Sequence, residues 1–212
     1  MNKLSLYCRG FGGYLQDLYR IARVDFSNPH SYTKFLTIRR LARATGAQAF
    51  IEAGTFRGVM AARCSAIFDQ VYTIELDQKL AAAAAEFLRT KKNVRVIQGD
   101  ALAVLPELLE RDELKNVLLF LDGHYSSGET ACGDLPEPAA EELQGLTKYR
   151  DKIDAIVIDD IRSFGTEQGF PKKSELLRAA EDSFGTGYQI RIFLDQLIIT
   201  RNSAAVIGTR SS

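Results

Sequence analysis

Five acidic side chains stand where short apolar runs end. Glu52 lies within Ala49-Phe-Ile-Glu-Ala53, and Glu75 closes Val71-Tyr-Thr-Ile-Glu75. Asp100 follows Val94-Arg-Val-Ile-Gln98 and Gly99. Asp122 and Asp159 close Val117-Leu-Leu-Phe-Leu-Asp122 and Ala155-Ile-Val-Ile-Asp159. One charge at the end of a buried strand is ordinary, because strands end where solvent begins. A succession of them describes an acidic crevice, which would attract cations and accept hydrogen bonds from hydroxyl and amino groups. Gly54 and Gly58 bracket a tight turn just after the first run, where the missing Cβ lets backbone N–H groups approach a small ligand.

The runs read as strands, and Val117-Leu-Leu-Phe-Leu-Asp122, apolar up to its last residue, marks a strand covered on both faces, as in a parallel sheet. Helical segments separate them: about Val59 to Ile67, Gln78 to Thr90 with its alanine run, Ala101 to Arg111, and Pro138 to Tyr149. Pro171 opens another, through Glu181. Two β-rich runs close the chain, Tyr188 to Leu194 and Leu197 to Arg201, and their two-residue connection makes them antiparallel. The expectation is an α/β fold, doubly wound, with a mostly parallel seven-stranded sheet and a C-terminal antiparallel hairpin. In such folds ligands bind at the carboxyl ends of the strands. Ahead of the sheet, Asn28 or Ser31 starts a helix that Gly46 ends. Phe35, Ile38, Leu41 and Ala42 form its inward stripe, with Lys34, Arg39, Arg40 and Arg43 facing out. Tyr14 to Val24 has Leu15, Leu18, Tyr19 and Ala22 on one face, and packs on the domain or a second subunit, or serves as a lid. The expected division is an N-terminal extension over 1–28, one domain over 29–201 and a tail over 202–212.

Bulk composition excludes several classes. The 212 residues are 46% apolar, enough for one full core. Lysine plus arginine balance aspartate plus glutamate at 27 each, which gives no sign of a nucleic-acid or membrane-binding surface. Cys8, Cys64 and Cys132 are odd in number and widely spaced, so neither a disulfide framework nor a thiolate metal site is expected. That usage fits a reducing cytoplasm, and no apolar run is long enough to span a bilayer. With His30 and His124 the only histidines, any metal site must be mostly oxygen-ligated.

Glu52-Ala-Gly54-Thr-Phe-Arg-Gly58, Glu75, Gly99-Asp100-Ala101 and the terminal hairpin together resemble a class I S-adenosylmethionine-dependent methyltransferase, from about Pro29 to Arg201. Leu121-Asp-Gly-His-Tyr-Ser126 with Ile158-Asp-Asp160 is similar to a group of bacterial methyltransferase-like proteins and to metal-dependent O-methyltransferases, including the macrocin type that act on sugars. The resemblance implies S-adenosylmethionine as cofactor. Gly54, Thr55 and Gly58 would pass under its methionine part, and Glu52 would lie near its ammonium. Glu75 would accept from both ribose hydroxyls, and a bidentate anionic acceptor suits a cis-diol. Asp100 would accept from the adenine amine with Ala101 beside it, although Asp100 is equally placed to cap the following helix.

Asp122 would then lie beside the methyl group. By the same resemblance Asp122, Asp159 and Asp160 would hold a divalent ion, with Mg²⁺, Mn²⁺ or Ca²⁺ favoured by all-carboxylate ligation. Such an ion would orient an acceptor hydroxyl and lower its pKa, and His124 would take its proton. Residues 123–138 would wall the substrate, a small molecule with a sugar or aryl ring against Tyr125. Arg162 would balance the acidic pair or bind an anionic group. Two other readings stay open. One is a nicotinamide-dependent oxidoreductase, although Phe56 stands where its fingerprint needs a second glycine. The other is a cofactor-binding domain that serves as a partner or scaffold without turnover.

Overall fold

The computed structural model describes residues 3–23, 25, 29–122, 139–167 and 169–202. The helices are α1 (Lys3–Ala22), α2 (Ser31–Thr45), α3 (Val59–Cys64), α4 (Gln78–Leu88), α5 (Ala101–Leu109), α6 (Ala139–Leu146) and α7 (Lys173–Phe184). The strands are β1 (Ala49–Ala53), β2 (Gln70–Glu75), β3 (Val94–Gln98), β4 (Val117–Leu121), β5 (Ile153–Ile158), β6 (Tyr188–Phe193) and β7 (Gln196–Arg201). They form one sheet in the order β3-β2-β1-β4-β5-β7-β6. From β3 to β5 every pair is parallel, and β7 runs antiparallel to both β5 and β6. The architecture expected from the sequence is the one found.

The chain winds outward from β1 to β3, then crosses back to lay β4 on the other side of β1. The crossover opens a crevice beyond the carboxyl ends of β1 and β4, where the strand order reverses. Strand alternation decides which side chains face it. On β4, Val117, Leu119 and Leu121 pack among α5, α6 and α7, while Leu118 and Phe120 pack on the opposite layer with Phe35, Ile38 and Met60. On β1 and β5, Phe50, Ala155 and Val157 share that second layer. Glu52 and Asp159 follow at even spacing and so fall on the face covered by α2 and α3. The strand ends thus aim two carboxyl groups at two particular helices.

The turn after β1 needs its glycines. Gly54 and Gly58 have φ of +97° and +69°, and a Cβ on Gly58 would come within 2.9 Å of Leu88 Cδ1 on α4. The helix that follows is shorter than its spacing suggests. It stops at Cys64 so that a turn can bring Phe68 into the core.

The N-terminal helix departs further. It begins at Lys3, and its expected apolar face does not pack on the domain: Leu15, Leu18 and Tyr19 are 52%, 45% and 63% exposed. The packed face is the polar one. Gly13 lies against the His30 ring, and the buried Asp17 accepts from His30 N–H at 2.7 Å and bonds the Nδ1 of His30 and the Thr33 hydroxyl. A buried carboxylate with three partners at the start of α2 outcompetes a stripe of leucines, because the helix end supplies unsatisfied donors. Among the described residues, no helix is long and apolar enough to cross a membrane.

Urea unfolding checks the turn. Gly58→Ala should cost about 1–2 kcal/mol through its left-handed φ. Gly145→Ala, at an open position in α6 where a Cβ meets nothing within 4 Å, should stabilise by about 0.5–1 kcal/mol.

Candidate functional site

The first acidic group is a buried chain of hydroxyls and carboxyls. Glu52 Oε2 accepts from Thr73 Oγ1 at 2.6 Å, and Thr73 meets Thr55 Oγ1 at 2.6 Å. Glu52 and Thr73 are register partners on β1 and β2, so the parallel pairing sets this contact. Burial, opposed by the Thr73 hydrogen bond and reinforced by the charges of Asp122 and Glu75, pushes the Glu52 carboxyl up to about 8. At rest near neutral pH the group is protonated, and an arriving cation would draw it into the charged form. The Thr55 side chain is spent inside this network rather than on the crevice. The Gly54 and Thr55 N–H groups both donate to Ile74 O, at 3.0 and 3.2 Å.

Glu75 is tied to the glycine turn. Its Oε2 accepts from Phe56 N–H at 2.8 Å and its Oε1 from Asp77 N–H at 3.1 Å. Phe56 itself takes φ +47° with its ring exposed. The carboxylate holds a non-glycine residue in a left-handed turn, and each oxygen keeps a further lone pair for a ligand. Asp100 does cap its helix: Oδ1 accepts from Leu102 N–H at 2.9 Å. It lies just past Gln98, the register partner of Glu75, with Ala101 opening α5 beside it.

The second group forms around a residue that the sequence reading placed outside. Lys34 reaches in from α2, its side chain only 12% exposed, and contacts Oδ2 of the fully buried Asp159. Its Nζ lies 3.5 Å from Asp160 Oδ1 and 4.0 Å from Asp122 Oδ1. The three aspartates expected to hold a divalent ion are therefore arranged around an ammonium. Burial alone would lower the Lys34 pKa, but Asp122, Asp159 and Asp160 outweigh it and hold the group well above the usual lysine range. Burial and the Asp122 charge push Asp159 upward, with Lys34 opposing and Asp160 adding to the rise. Among the described residues, no three His, Cys, Asp or Glu side chains stand where they could hold a metal ion. As it stands, the donor set does not fit one, because a cation already lies among the carboxylates.

Arg162 adds a second cation to the cluster. Its Nη1 lies 2.9 Å from Asp160 Oδ1 and also pairs with Asp195. Asp160 holds this position in the left-handed region, at φ 54° and ψ 42°, a conformation that sites retain when the surroundings over-determine it. Asp195 belongs to the two-residue turn of the terminal hairpin, where Leu194 and Asp195 both have positive φ. Its Oδ1 accepts from Arg162 N–H at 2.7 Å, and its carbonyl accepts from Ile161 N–H at 3.0 Å. The hairpin therefore clamps the segment after β5. His124 and the expected substrate wall fall outside the described residues.

Reasoning from sequence missed Lys34, Thr73 and Asp195. A signal for Lys34 was present: positions 34, 38 and 41 share one helical face with the buried Ile38 and Leu41. Thr73, a hydroxyl inside an otherwise apolar run, was a second signal.

No protein-family model matches the chain, and no curated protein sequence matches it. Solved structures do. An O-methyltransferase from Bacillus cereus, in complex with S-adenosylhomocysteine, superposes with a TM-score of 0.59 at 16% identity, over 80% of this chain and 81% of that one. TomG from Streptomyces achromogenes, an O-methyltransferase of tomaymycin synthesis solved with S-adenosylmethionine, gives 0.56 at 18%, over 80% and 79%. The methyltransferase PaMTH1 of Podospora anserina, bound to S-adenosylhomocysteine, gives 0.58 at 14%, over 95% and 94%. These likenesses define the class of fold: the chain has the Rossmann-like α/β fold of class I S-adenosylmethionine-dependent methyltransferases.

The raised Glu52 has a consequence for stability. A carboxyl lifted from 4.5 to about 8 contributes stability that is complete below pH 4.5 and is lost as pH rises through about 8. Glu52→Gln keeps the acceptor for Thr73 and removes the ionisation. Urea unfolding should show it close to wild type at pH 5 and more stable at pH 9 by roughly 2–4 kcal/mol. Parallel curves at the two pH values would show that Glu52 ionises freely.

Proposed function

We propose that the chain transfers a methyl group from S-adenosylmethionine to a hydroxyl of a small molecule. One observation carries the reading: Glu52, Glu75 and Asp122 gather at the switch point of a sheet with this fold, beside a glycine turn. An acidic crevice suits a ligand that bears both a sulfonium and an ammonium, and it opposes a pyrophosphate. Glu75 is rigidly held by two backbone donors and would take the ribose hydroxyls. The free oxygen of Asp100 would take the adenine amine, and Glu52, once deprotonated, would face the ammonium. Gly58 keeps the turn close to α4 and so open on the ligand side.

In the reaction the acceptor oxygen attacks the methyl carbon in line with sulfur. The carbon–sulfur bond breaks as the oxygen–carbon bond forms, and S-adenosylhomocysteine leaves. The hydroxyl proton passes to Asp122, the most open of the three aspartates at 31% side-chain exposure, or to His124 two residues on. The protein's share is alignment and exclusion of water, and the cofactor supplies the leaving group. No step of this reading passes through a metal ion. The acceptor class is a small molecule with a sugar or aryl hydroxyl, in keeping with the O-methylating enzymes that share the fold. Residues 29–201 form the methyltransferase domain. Asp17 ties α1 to the start of α2, which supports a fixed N-terminal extension over a hinged lid.

Calorimetric titration tests the reading. S-adenosylmethionine and S-adenosylhomocysteine should bind, NADH should not, and Glu75→Ala should weaken the nucleosides about 10–100-fold through lost charge-assisted hydrogen bonds. Binding of NADH in place of the sulfur nucleosides would favour the oxidoreductase. Nucleoside binding without turnover on a broad panel of hydroxyl acceptors would favour the scaffold.

A further inference from the structure

Lys34 is not a surface lysine folded back by chance. It continues the inward stripe of α2 one turn before Ile38, and its side chain is only 12% exposed. Lysine is almost never buried unless paired. Here its ammonium touches Asp159, whose side chain has no exposure, and lies within ion-pair range of Asp160 and Asp122. These carboxylates come from the ends of two neighbouring strands, β4 and β5, paired in parallel through Leu121 and Ile158. Two strand ends and one helix thus converge on a single positive charge. A divalent ion bound by the same three aspartates would need the space and the lone pairs that Lys34 now uses.

We propose that Lys34 is a built-in cation that takes the place of a divalent ion in this crevice, so that the acceptor hydroxyl meets an ammonium and aspartates instead of a metal. The two devices select different substrates. An oxygen-ligated divalent ion has several coordination positions and can chelate two neighbouring oxygens. An ammonium has three separate N–H donors and no coordination shell to complete. The preferred acceptor is therefore an isolated hydroxyl, with no need of a second oxygen beside it. The substrate part of the inference rests on the methyltransferase reading. The occupancy part does not, because it can be measured on the protein without nucleoside or acceptor.

The test is titration of Mn²⁺ into the purified full chain at pH 7.5, read by electron paramagnetic resonance of the free ion, with thermal unfolding in Mg²⁺ or EDTA alongside. Wild type should take up no stoichiometric Mn²⁺ and unfold at the same temperature in both. Lys34→Met should bind one Mn²⁺ at least about tenfold more tightly than wild type, because the three carboxylates, which do not stand as an ion site around the ammonium, can close on an ion once it is gone. It should also gain thermal stability from the ion, and Asp159→Asn placed in that background should abolish both effects. Lys34→Gln is the milder second variant, with the same expectation. Stoichiometric Mn²⁺ binding by wild type that Asp159→Asn removes would overturn the proposal. A folded Lys34→Met that ignores Mn²⁺ would overturn it too, since the aspartates would then form no ion site at all. Titration of S-adenosylhomocysteine into the same samples keeps the two readings apart: a wild type that binds nucleoside and also binds Mn²⁺ sinks this inference alone.

Discussion

The contact between Lys34 and Asp159 is the constraint on which the crevice depends. Burying an ammonium and a carboxylate costs several kcal/mol of lost hydration, and their attraction offsets it only when both ends are well placed. Here placement comes from the packing around them. Ile38 and Leu41 set α2 on the sheet, and the alternation of β5 turns Asp159 toward it. Removing Lys34 alone would leave the buried Asp159 without this counter-ion, which typically costs about 3–5 kcal/mol. The pair therefore fixes the mutual position of α2, β4 and β5. Arg162, Asp160 and Asp195 extend the same pattern to the hairpin.

This arrangement gives the sheet edge two different electrostatic halves. Beyond β1 and β2, Glu52 and Glu75 stand with no partnering lysine or arginine side chain within ion-pair distance among the described residues, and burial keeps Glu52 protonated near neutrality. Beyond β4 and β5, Lys34 and Arg162 already offset part of the negative charge. On the proposed reading a cationic nucleoside would occupy the first half, where its charge is wanted. On the same reading a neutral acceptor would lie in the second, where an ammonium and carboxylates can grip a hydroxyl. Asp122 lies between the two, felt electrostatically by Glu52 on one side and Lys34 on the other. That is where a methyl group would pass from donor to acceptor.

Much of the fold was legible because a parallel sheet writes itself plainly. A strand covered on both faces is a continuous apolar run, so β1 has the limits the sequence suggests; β3 has its expected limits too, although it is a partly exposed edge strand, and a two-residue link leaves β6 and β7 no choice but to pair antiparallel. The strand-end carboxylates were legible for the same reason. What the sequence concealed were contacts between elements distant in the chain. Lys34 looked like one more cation on a basic helix, since hydropathy alone cannot tell a solvated lysine from one aimed at a carboxylate 125 residues further on. The α1 stripe misled in the opposite sense. Leu15, Leu18 and Tyr19 form a regular apolar face, yet Asp17 binds the end of α2 and turns that face outward. Backbone duties were hidden too. Glu75 and Asp100 first serve the glycine turn and a helix cap, and only their remaining lone pairs are left for a ligand.

One sheet edge thus sets an acidic group without a cation beside an acidic group that carries its own. A crystal grown with S-adenosylhomocysteine and manganese chloride, with data collected at the manganese absorption edge, tests both halves at once. The account expects ribose hydroxyls on Glu75, the homocysteine ammonium near Glu52, the Lys34 ammonium still seated on Asp159, and no anomalous peak among Asp122, Asp159 and Asp160. A nucleoside bound elsewhere on the molecule, or a manganese peak with Lys34 swung away, would contradict it.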